Sequence, residues 1–400
     1  MAITSIRDVD VKGRVLVIRA DLNAPCKDGV VTDATRIERF AAGLKPLLAA
    51  GARAVVLSHF GRPKGKVVPE MSLAPIAPAL AAALGQDVAF IDNCIGPKAL
   101  AAAAALGDGQ AILMENVRFH PGEEKNDPAF AAELAKLGDI YVNDAFSAAH
   151  RAHASTDAIA ALLPACSGPL MDEETAALAA ALEAPKRPAV AVIGGAKVSS
   201  KIAVLKNLVN KVDAVIIGGG MANTFFFADG LSIGKSLREE DQVETVREIR
   251  LLAARAGCEL VLPADIVYAF KFADNARSFI APVDECPDDG IILDAGPKSV
   301  IRFRSVLANA QTILWNGPLG AFEMRPFEQA TRQVALEAAE LTRSGLVTSV
   351  AGGGDTVAAL NMAGVAGDFS YVSTAGGAFL EWLEGRTLPG IAALDRAKAA

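Results

Sequence analysis

The stretch RVLVIRADLNAP, Arg14 to Pro25, decides how this chain reads. It begins as an apolar run of strand type and breaks at its carboxyl end into Asp21, Leu22 and Asn23, with Arg36 not far beyond. A second stretch repeats the form. RAVVLS, Arg53 to Ser58, gives way to His59, Phe60, Gly61 and Arg62. In open α/β sheets, ligands bind beyond the carboxyl ends of strands. Arg and His side chains converging there suit a small polyanion, because guanidinium forks match phosphate and carboxylate oxygens two at a time.

Outward from these stretches the chain keeps one rhythm. Short β-branched runs alternate with Ala- and Leu-rich amphipathic helices, the pattern of parallel α/β sheets. In the first half, strands are predicted near Val15–Arg19, Ala54–Leu57, Val88–Ile91, Ile112–Met114 and Ile140–Val142. TDATRIERFAAGLKPLLAAG is the clearest helix, with Thr32 or Asp33 placed to cap it and Gly51 to end it. In the second half the strand runs are AVAVIGG, DAVIIGGG, CELVLPAD, GIILDAG, TILWNG and LVTSVAGGG. Between the halves, MDEETAALAAALEAP reads as a connecting helix with acids in its first turn and Pro185 at its close. The expected organisation is a domain over 1–170, an interdomain helix over 171–185 and a second domain over 186–385.

Bulk properties narrow the classes. A chain of 400 residues suggests about two domains. The five cysteines are scattered and fit neither a zinc site nor a disulfide framework, which points to a reducing cytoplasm. A net charge of −7 argues against nucleic acid or anionic lipid as the main partner. There is no long apolar span and no secretory h-region, so no membrane is expected.

The second half carries glycine loops. GGAKVSSK, Gly194 to Lys201, follows a strand and leads into KIAVLKNLVNKV, with Lys197 and Lys201 one turn apart as point charges for a phosphate. GLSIGKS lacks the spacing of a Walker A loop, and GGGM, Gly218 to Met221, lacks the third glycine of a dinucleotide fingerprint. The GGGM glycines read instead as a close backbone approach to a flat ligand. WNGPLGAFE supplies Asn316 and Glu323, the latter suited to ribose hydroxyls. AGGGDT opens a helix with Gly353, Gly354, Asp355 and Thr356. Asp355 suits Mg²⁺, which takes one or two carboxylates together with phosphate oxygens and water.

These motifs, in order and over the whole length, resemble phosphoglycerate kinase. RADLNAP, SHFGRP, ENVRFHPGEEKND, DAFSAAHRAHAS, GGAKVSSK, GGGMANTF, WNGPLGAFE, AGGGDT and VSTAGGAFLEWLEG all have counterparts in that family. The resemblance implies Mg²⁺-dependent phosphoryl transfer between ATP and 3-phosphoglycerate, giving ADP and 1,3-bisphosphoglycerate, in a cytoplasmic monomer. It implies two Rossmann-like lobes, each with a mainly parallel sheet, joined at a hinge. Residues 1–170 would hold the glycerate and 186–385 the nucleotide, with 386–400 returning to the first lobe. Position by position it assigns Asp21, Leu22, Asn23, Arg36, His59, Phe60, Gly61, Arg62, Arg118 and Arg151 to phosphoglycerate. It assigns Lys197, Lys201, Asn316, Glu323, Gly353, Gly354, Asp355 and Thr356 to nucleotide and phosphate. Arg36, Lys197, Lys201, Gly376 and Gly377 would serve the transfer itself. Arg118 and Arg151 come from the resemblance alone, since their sequence context reads as surface charge.

Three positions depart from the family pattern. Phe60 stands where Leu is common, Ala375 where a third glycine is typical, and Ala330 where glycine is usual. The Ala375 methyl is expected to limit backbone freedom beside the transfer site. Two other classes remain open. A nicotinamide-dependent oxidoreductase would need G-x-G-x-x-G and an acid about 20 residues on, and neither is visible. A non-catalytic nucleotide-binding scaffold would not need Arg36, Lys201 and Asp355 together.

Overall fold

The computed structural model describes residues 3–397. The chain forms two compact units. Unit 1 runs to Thr175 and resumes at Thr387, and unit 2 is Ala176–Arg386.

Unit 1 contains β1 (Val15–Ala20), β2 (Cys26–Lys27), β3 (Val30–Val31), β4 (Arg53–Leu57), β5 (Val88–Ile91), β6 (Ala111–Met114), β7 (Ile140–Asp144) and β8 (Ala165–Ser167). Six of these make one sheet in the order β5-β6-β4-β1-β7-β8, and β2 pairs with β3. β1 runs parallel to both β4 and β7. All six of its residues are buried, as expected of an inner strand covered on both faces. Its side chains alternate between two cores. Leu16 and Ile18 pack with Phe40, Leu44 and Val56 on one face. Val15 and Val17 pack with Val55, Ile112 and Tyr141 on the other. Each such aliphatic side chain contributes about 1.5–3 kcal/mol on burial.

The covering helices are α1 (Thr35–Ala49), α2 (Ile76–Leu84), α3 (Gly96–Ala104) and α4 (Pro128–Ala135). α1 buries Ile37, Phe40, Ala41, Leu44, Leu47 and Leu48, one face at three- and four-residue spacing. Ala34 occupies its cap position rather than Thr32 or Asp33. Asp33 still serves the helix start, since its carboxylate accepts from Thr35 N at 2.9 Å and Thr35 Oγ1 at 2.6 Å.

The connecting helix is α5 (Pro169–Leu178), two residues earlier than predicted, and it continues as a π-helical turn over Ala179–Glu183. The chain passes from one unit to the other inside this helix rather than at its ends. Asp144 holds the start of α5, accepting from Leu170 N at 2.7 Å and Met171 N at 3.1 Å. Burial pushes its carboxyl up to about 7, against the pull of those N–H groups.

Unit 2 contains β9 (Ala189–Ile193), β10 (Ala214–Ile217), β11 (Glu259–Val261), β12 (Asp265–Ala269), β13 (Ser278–Pro282), β14 (Ile291–Ala295), β15 (Thr312–Asn316), β16 (Thr348–Gly352) and β17 (Tyr371–Ser373). Its parallel sheet has the order β11-β10-β9-β15-β16-β17. GIILDAG does not join this sheet. As β14 it pairs antiparallel with β12, which also pairs with β13, in a separate three-stranded sheet. A short apolar run fixes a strand but not its partner. The helices are α6 (Ile202–Leu208), α7 (Gly220–Ala228), α8 (Val243–Ala256), α9 (Pro297–Ala308), α10 (Gln329–Arg343), α11 (Gly354–Ala363) and α12 (Gly377–Leu383). α6 is shorter than KIAVLKNLVNKV suggests.

The chain then re-enters unit 1 as α13 (Pro389–Arg396). Gly390 N donates to Ala149 O at 2.8 Å and Arg396 Nη2 to Asp157 Oδ1 at 2.8 Å. Of the returning segment, residues 398–400 lie outside the described residues. All five cysteines are free. No helix among the described residues is long and apolar enough to cross a membrane.

Each parallel sheet reverses its winding once. In unit 1 the chain leaves β1 for β4, β5 and β6 on one side and returns to β7 and β8 on the other. In unit 2 it runs β9, β10, β11 to one side and β15, β16, β17 to the other. Such switch points open a crevice at the carboxyl ends of the strands.

Candidate active-site residues in each unit

In unit 1 the crevice lies between the ends of β1 and β7, and a hydrogen bond spans it. Asp21 Oδ2, just past β1, accepts from Ser147 Oγ, just past β7, at 2.5 Å. The same oxygen accepts from Arg36 Nη1 at 2.6 Å, which holds the guanidinium from the first turn of α1. Asn23 Oδ1 accepts from Gly61 N at 3.1 Å and so ties the first motif to the second. Arg118 Nη1 donates to Gly61 O at 2.8 Å. Burial brings the Arg118 guanidinium down to about 10, which leaves it charged at neutral pH. Arg151 Nε donates to His150 Nε2 at 3.0 Å. Arg62 is exposed and carries no hydrogen bond or ion pair among the described residues.

Two predicted positions serve packing. The Leu22 side chain is wholly in the core, and its N–H donates to Ser58 Oγ at 3.0 Å. Phe60 packs half-buried against the unit 1 core, and its carbonyl accepts from Asn116 Nδ2 at 2.7 Å.

Beneath these residues is a buried polar group that the sequence reading missed. Arg19, Glu123, Ser155 and His153 are all buried, and Arg19 and Glu123 are fully so. Glu123 accepts from Ser155 N at 2.9 Å and Ser155 Oγ at 2.6 Å. Burial, aided by Arg118, brings the His153 imidazole down to about 3, so it is neutral. One signal was available. Arg19 interrupts an apolar strand, and a charge there must find partners or impose a heavy desolvation cost.

In unit 2 the crevice lies between β9 and β15, and glycines line it. A Cβ on Gly194 would come within 1.8 Å of Pro318 O, and one on Gly317, at φ +103°, within 2.1 Å of Gly194 O. One on Gly219 would meet Gly195 O at 2.7 Å, and one on Gly220 would meet Ala196 O at 2.5 Å. These glycines therefore let three loops stack backbone on backbone. Gly195, Gly219 and Gly220 of the same loops also line a cavity, so the close stacking stands beside the expectation that the GGAKVSSK and GGGM glycines let a ligand approach and does not replace it. Gly354 and Gly376 differ, since a Cβ on either would meet nothing within 4 Å. Gly376 takes φ +53° before α12, and Gly377 is the first residue of that helix. Ala375 shows no positive φ, so the methyl sits on ordinary backbone and the left-handed demand falls on Gly376. Ala330 lies in the first turn of α10, where its N–H donates to Asp294 Oδ2 at 2.9 Å.

Lys201 stands at the start of α6 and donates from Nζ to Asn316 Oδ1. Asn316 Nδ2 donates to Gly352 O at 2.7 Å, which links Lys201 to the AGGGDT loop. Thr356 Oγ1 accepts from Gly317 N at 2.7 Å and closes the same circuit. Burial lowers the Lys201 ammonium's pKa, while Asp355 and Glu384 oppose the shift. Lys197 is exposed in the turn before α6 rather than on the helix, so the two lysines are not one helical turn apart.

A cavity of about 660 Å³ lies within unit 2. Phe226, Leu237, Pro263, Phe272 and Leu319 give it apolar walls, and Glu323 and Asp355 supply carboxylates. The shape suits a flat heterocycle with polar appendages. Glu323 and Phe322 also border a second, more polar cavity. Among the described residues no three His, Cys, Asp or Glu are grouped to hold a metal ion. Asp355 is a single exposed carboxylate beside the glycine loop. That donor set fits Mg²⁺ arriving with nucleotide phosphates and waters as its other ligands.

A family model for phosphoglycerate kinase matches residues 6–386. A relative named phosphoglycerate kinase from Ruegeria sp. (strain TM1040) is 57% identical over 391 residues, covering 98% of this chain and 99% of its own. One from Dinoroseobacter shibae is 58% identical over 393 residues, with the same coverage. Among solved structures, phosphoglycerate kinase from Coxiella burnetii superposes with a TM-score of 0.93 at 43% identity, covering 99% of this chain and 100% of that one. The enzyme from Pyrococcus horikoshii OT3 gives 0.80 at 28% identity, covering 98% of each.

Proposed function

Given that the chain belongs to the phosphoglycerate kinase family, we propose that it transfers a phosphoryl group reversibly between ATP and 3-phosphoglycerate, with Mg²⁺. One observation carries this reading: both sheets place their polar machinery at the switch point, cationic side chains in unit 1 and glycine loops beside a cavity in unit 2. Unit 1 is read as the glycerate side and unit 2 as the nucleotide side.

A carboxylate oxygen of 3-phosphoglycerate bonds to the terminal phosphorus of ATP, the bond to the bridging oxygen breaks, and ADP leaves. The attacking carboxylate is already ionised at neutral pH, so no general base is needed. The task is in-line placement and neutralisation of charge on the migrating group. In this reading Asp21, Asn23, Arg36, His59, Arg62, Arg118 and Arg151 hold the glycerate, with the Phe60–Gly61 backbone. Lys201 and the N–H groups near Gly353, Gly354, Gly376 and Gly377 neutralise the migrating phosphoryl, and Arg36 reaches it from the acceptor side. Lys197 meets the nucleotide phosphates, Glu323 the ribose, and Asn316 and Thr356 hold the loops in place. Asp355 would hold Mg²⁺, which neutralises phosphate charge when bound. Reacting atoms must come within about 3–3.5 Å, so the proposal requires both units to meet around the two substrates in turnover. Action as a cytoplasmic monomer, with no nucleic-acid or membrane partner, belongs to the same reading.

The test is ADP formation by purified protein. It should depend jointly on ATP, Mg²⁺ and 3-phosphoglycerate. ATP hydrolysis indifferent to 3-phosphoglycerate would overturn the reading.

A further inference from the structure

The buried end of β1 holds a charge that the transfer reading leaves unused. Arg19 Nε donates to Ser155 Oγ at 2.8 Å, Nη1 to Ala20 O at 2.5 Å, and Nη2 meets His59 Nδ1 at 3.0 Å. Ser155 Oγ passes its own hydrogen to Glu123 Oε1 at 2.6 Å. A guanidinium carries only donors and keeps its proton. His59 Nδ1 must therefore accept, and the ring hydrogen belongs on Nε2. A proton on Nδ1 would set two donors face to face. Nε2 forms no hydrogen bond among the described residues and is not an enclosed, unpaired atom.

We propose that Arg19, Ser155 and Glu123 are positioning residues that fix His59 as a neutral Nε2–H donor to the anionic substrate. This rests on the reading of unit 1 as the phosphoglycerate side. The reason for a relay is electrostatic. Arg19 is fully buried and needs a counter-charge, which Glu123 supplies through one hydroxyl. Donation then runs outward from Arg19, to His59 Nδ1 on one side and through Ser155 Oγ to the Glu123 carboxylate on the other. The surroundings agree. Burial lowers the His59 pKa well below its ordinary value, and Arg19, Arg118, His153 and Arg36 all add to the shift. An acceptor of such donors in a field of arginines gains orientation from a neutral imidazole, and this contact does not titrate near neutrality.

The experiment uses the full chain labelled with ¹⁵N-histidine. There are four histidines, so single substitutions at the other three assign His59. Long-range ¹H–¹⁵N correlation should show Nδ1 unprotonated and Nε2 protonated from about pH 5 to about pH 8, with Nε2 shifting when 3-phosphoglycerate is added. Ser155→Ala and Glu123→Gln remove the anchor that holds Arg19 against Nδ1, so they should let the guanidinium turn away, mix the tautomers and raise KM for 3-phosphoglycerate about three- to ten-fold, with kcat nearly unchanged. The ratio of variant to parent KM should vary with pH over the same range. A purely structural role would not move that ratio. The relay is overturned if His59 in the parent carries its proton on Nδ1, titrates near pH 6.5, or keeps its signals in both variants. Should the variants fail to fold, the parent spectra alone decide. A fixed Nε2–H tautomer that ignores 3-phosphoglycerate would overturn the substrate reading and leave the relay standing.

Discussion

The two units solve the same topological problem with different chemistry. Each has a parallel sheet that reverses its winding at one point. Unit 1 fills that point with side chains. Asp21, Arg36 and Ser147 bond across it, above the buried Arg19 and Glu123. Unit 2 fills it with backbone. Gly194, Gly317 and Gly219 bring three loops into contact, and Lys201 is held through Asn316. The difference follows from the proposed ligands. A small, highly charged glycerate offers little surface, so cations must grip it. A nucleotide offers a large flat surface and a phosphate chain, which a cavity and N–H groups can hold.

The sharpest break of this comparison is Lys201→Ala, which removes the one charge that the unit 2 circuit holds in place. We expect kcat to fall about 10²–10³-fold with KM little changed, because the charge acts mainly in the transition state. A variant with normal kcat and weakened ATP binding would place Lys201 in ground-state binding instead.

Gly194→Ala tests whether unit 2 depends on backbone contact. The added Cβ collides with a carbonyl that cannot turn aside, and a loss of about 2–4 kcal/mol is expected. Both tryptophans, Trp315 and Trp382, lie in unit 2, so fluorescence during urea unfolding reads that unit. An unchanged midpoint would show that the loops can part without loss.

In unit 1, Arg62→Ala and Arg151→Ala should each raise KM for 3-phosphoglycerate about ten-fold while kcat falls less, as for uniform binding. Calorimetry with 3-phosphoglycerate checks this, and unchanged affinity in both would remove them from the site.

Unit 1 holds all four histidines, which gives it a pH response of its own. His153 is held neutral down to about 3, well below its unfolded value. Its contribution is complete above about pH 6.5 and is lost as pH falls toward about 3, since the unfolded chain binds the extra proton. Asp144 opposes this, because its raised folded value adds stability as pH falls below about 7. The difference is therefore isolated by substitution. His153→Gln should lose less stability than the parent between about pH 6.5 and about pH 4, by at most about 1.4 kcal/mol per pH unit. Urea unfolding followed by circular dichroism measures it, and parallel pH curves would show that His153 is not the responsible group.

The smallest expected signal is a change of shape. The radius of gyration should fall most with both substrates and Mg²⁺ present, since each substrate alone has little leverage on two units. Full contraction with ATP alone, measured by small-angle scattering, would refute that division of labour.

Much of this was legible in the chain itself. The five first-half strands stand where the apolar runs put them, and the motifs that carry the family resemblance fall at strand ends. Arg118 and Arg151 became visible only through that resemblance, because each is an ordinary charge in its local context. The Leu22 side chain is the opposite case, since it sits within a charged motif yet lies in the core, which its local context does not show.

What the sequence by itself determined is set by short range: strand and helix periods, turns, and the residue types at each strand end. Which residues those ends would meet was decided only by the tertiary structure. Arg19 finds Ser155 from 136 positions away, and Lys201 finds Asn316 from 115. Gly194 and Gly317 stand in loops that read as ligand loops, yet only the fold shows that a Cβ on either would collide with backbone of the other loop. GIILDAG has the composition of a parallel strand and pairs antiparallel all the same. The physical reason is common to all four. Local preference depends on neighbours along the chain, whereas the partner of a buried charge, a bare backbone or an unpaired strand edge is chosen by what the fold brings alongside.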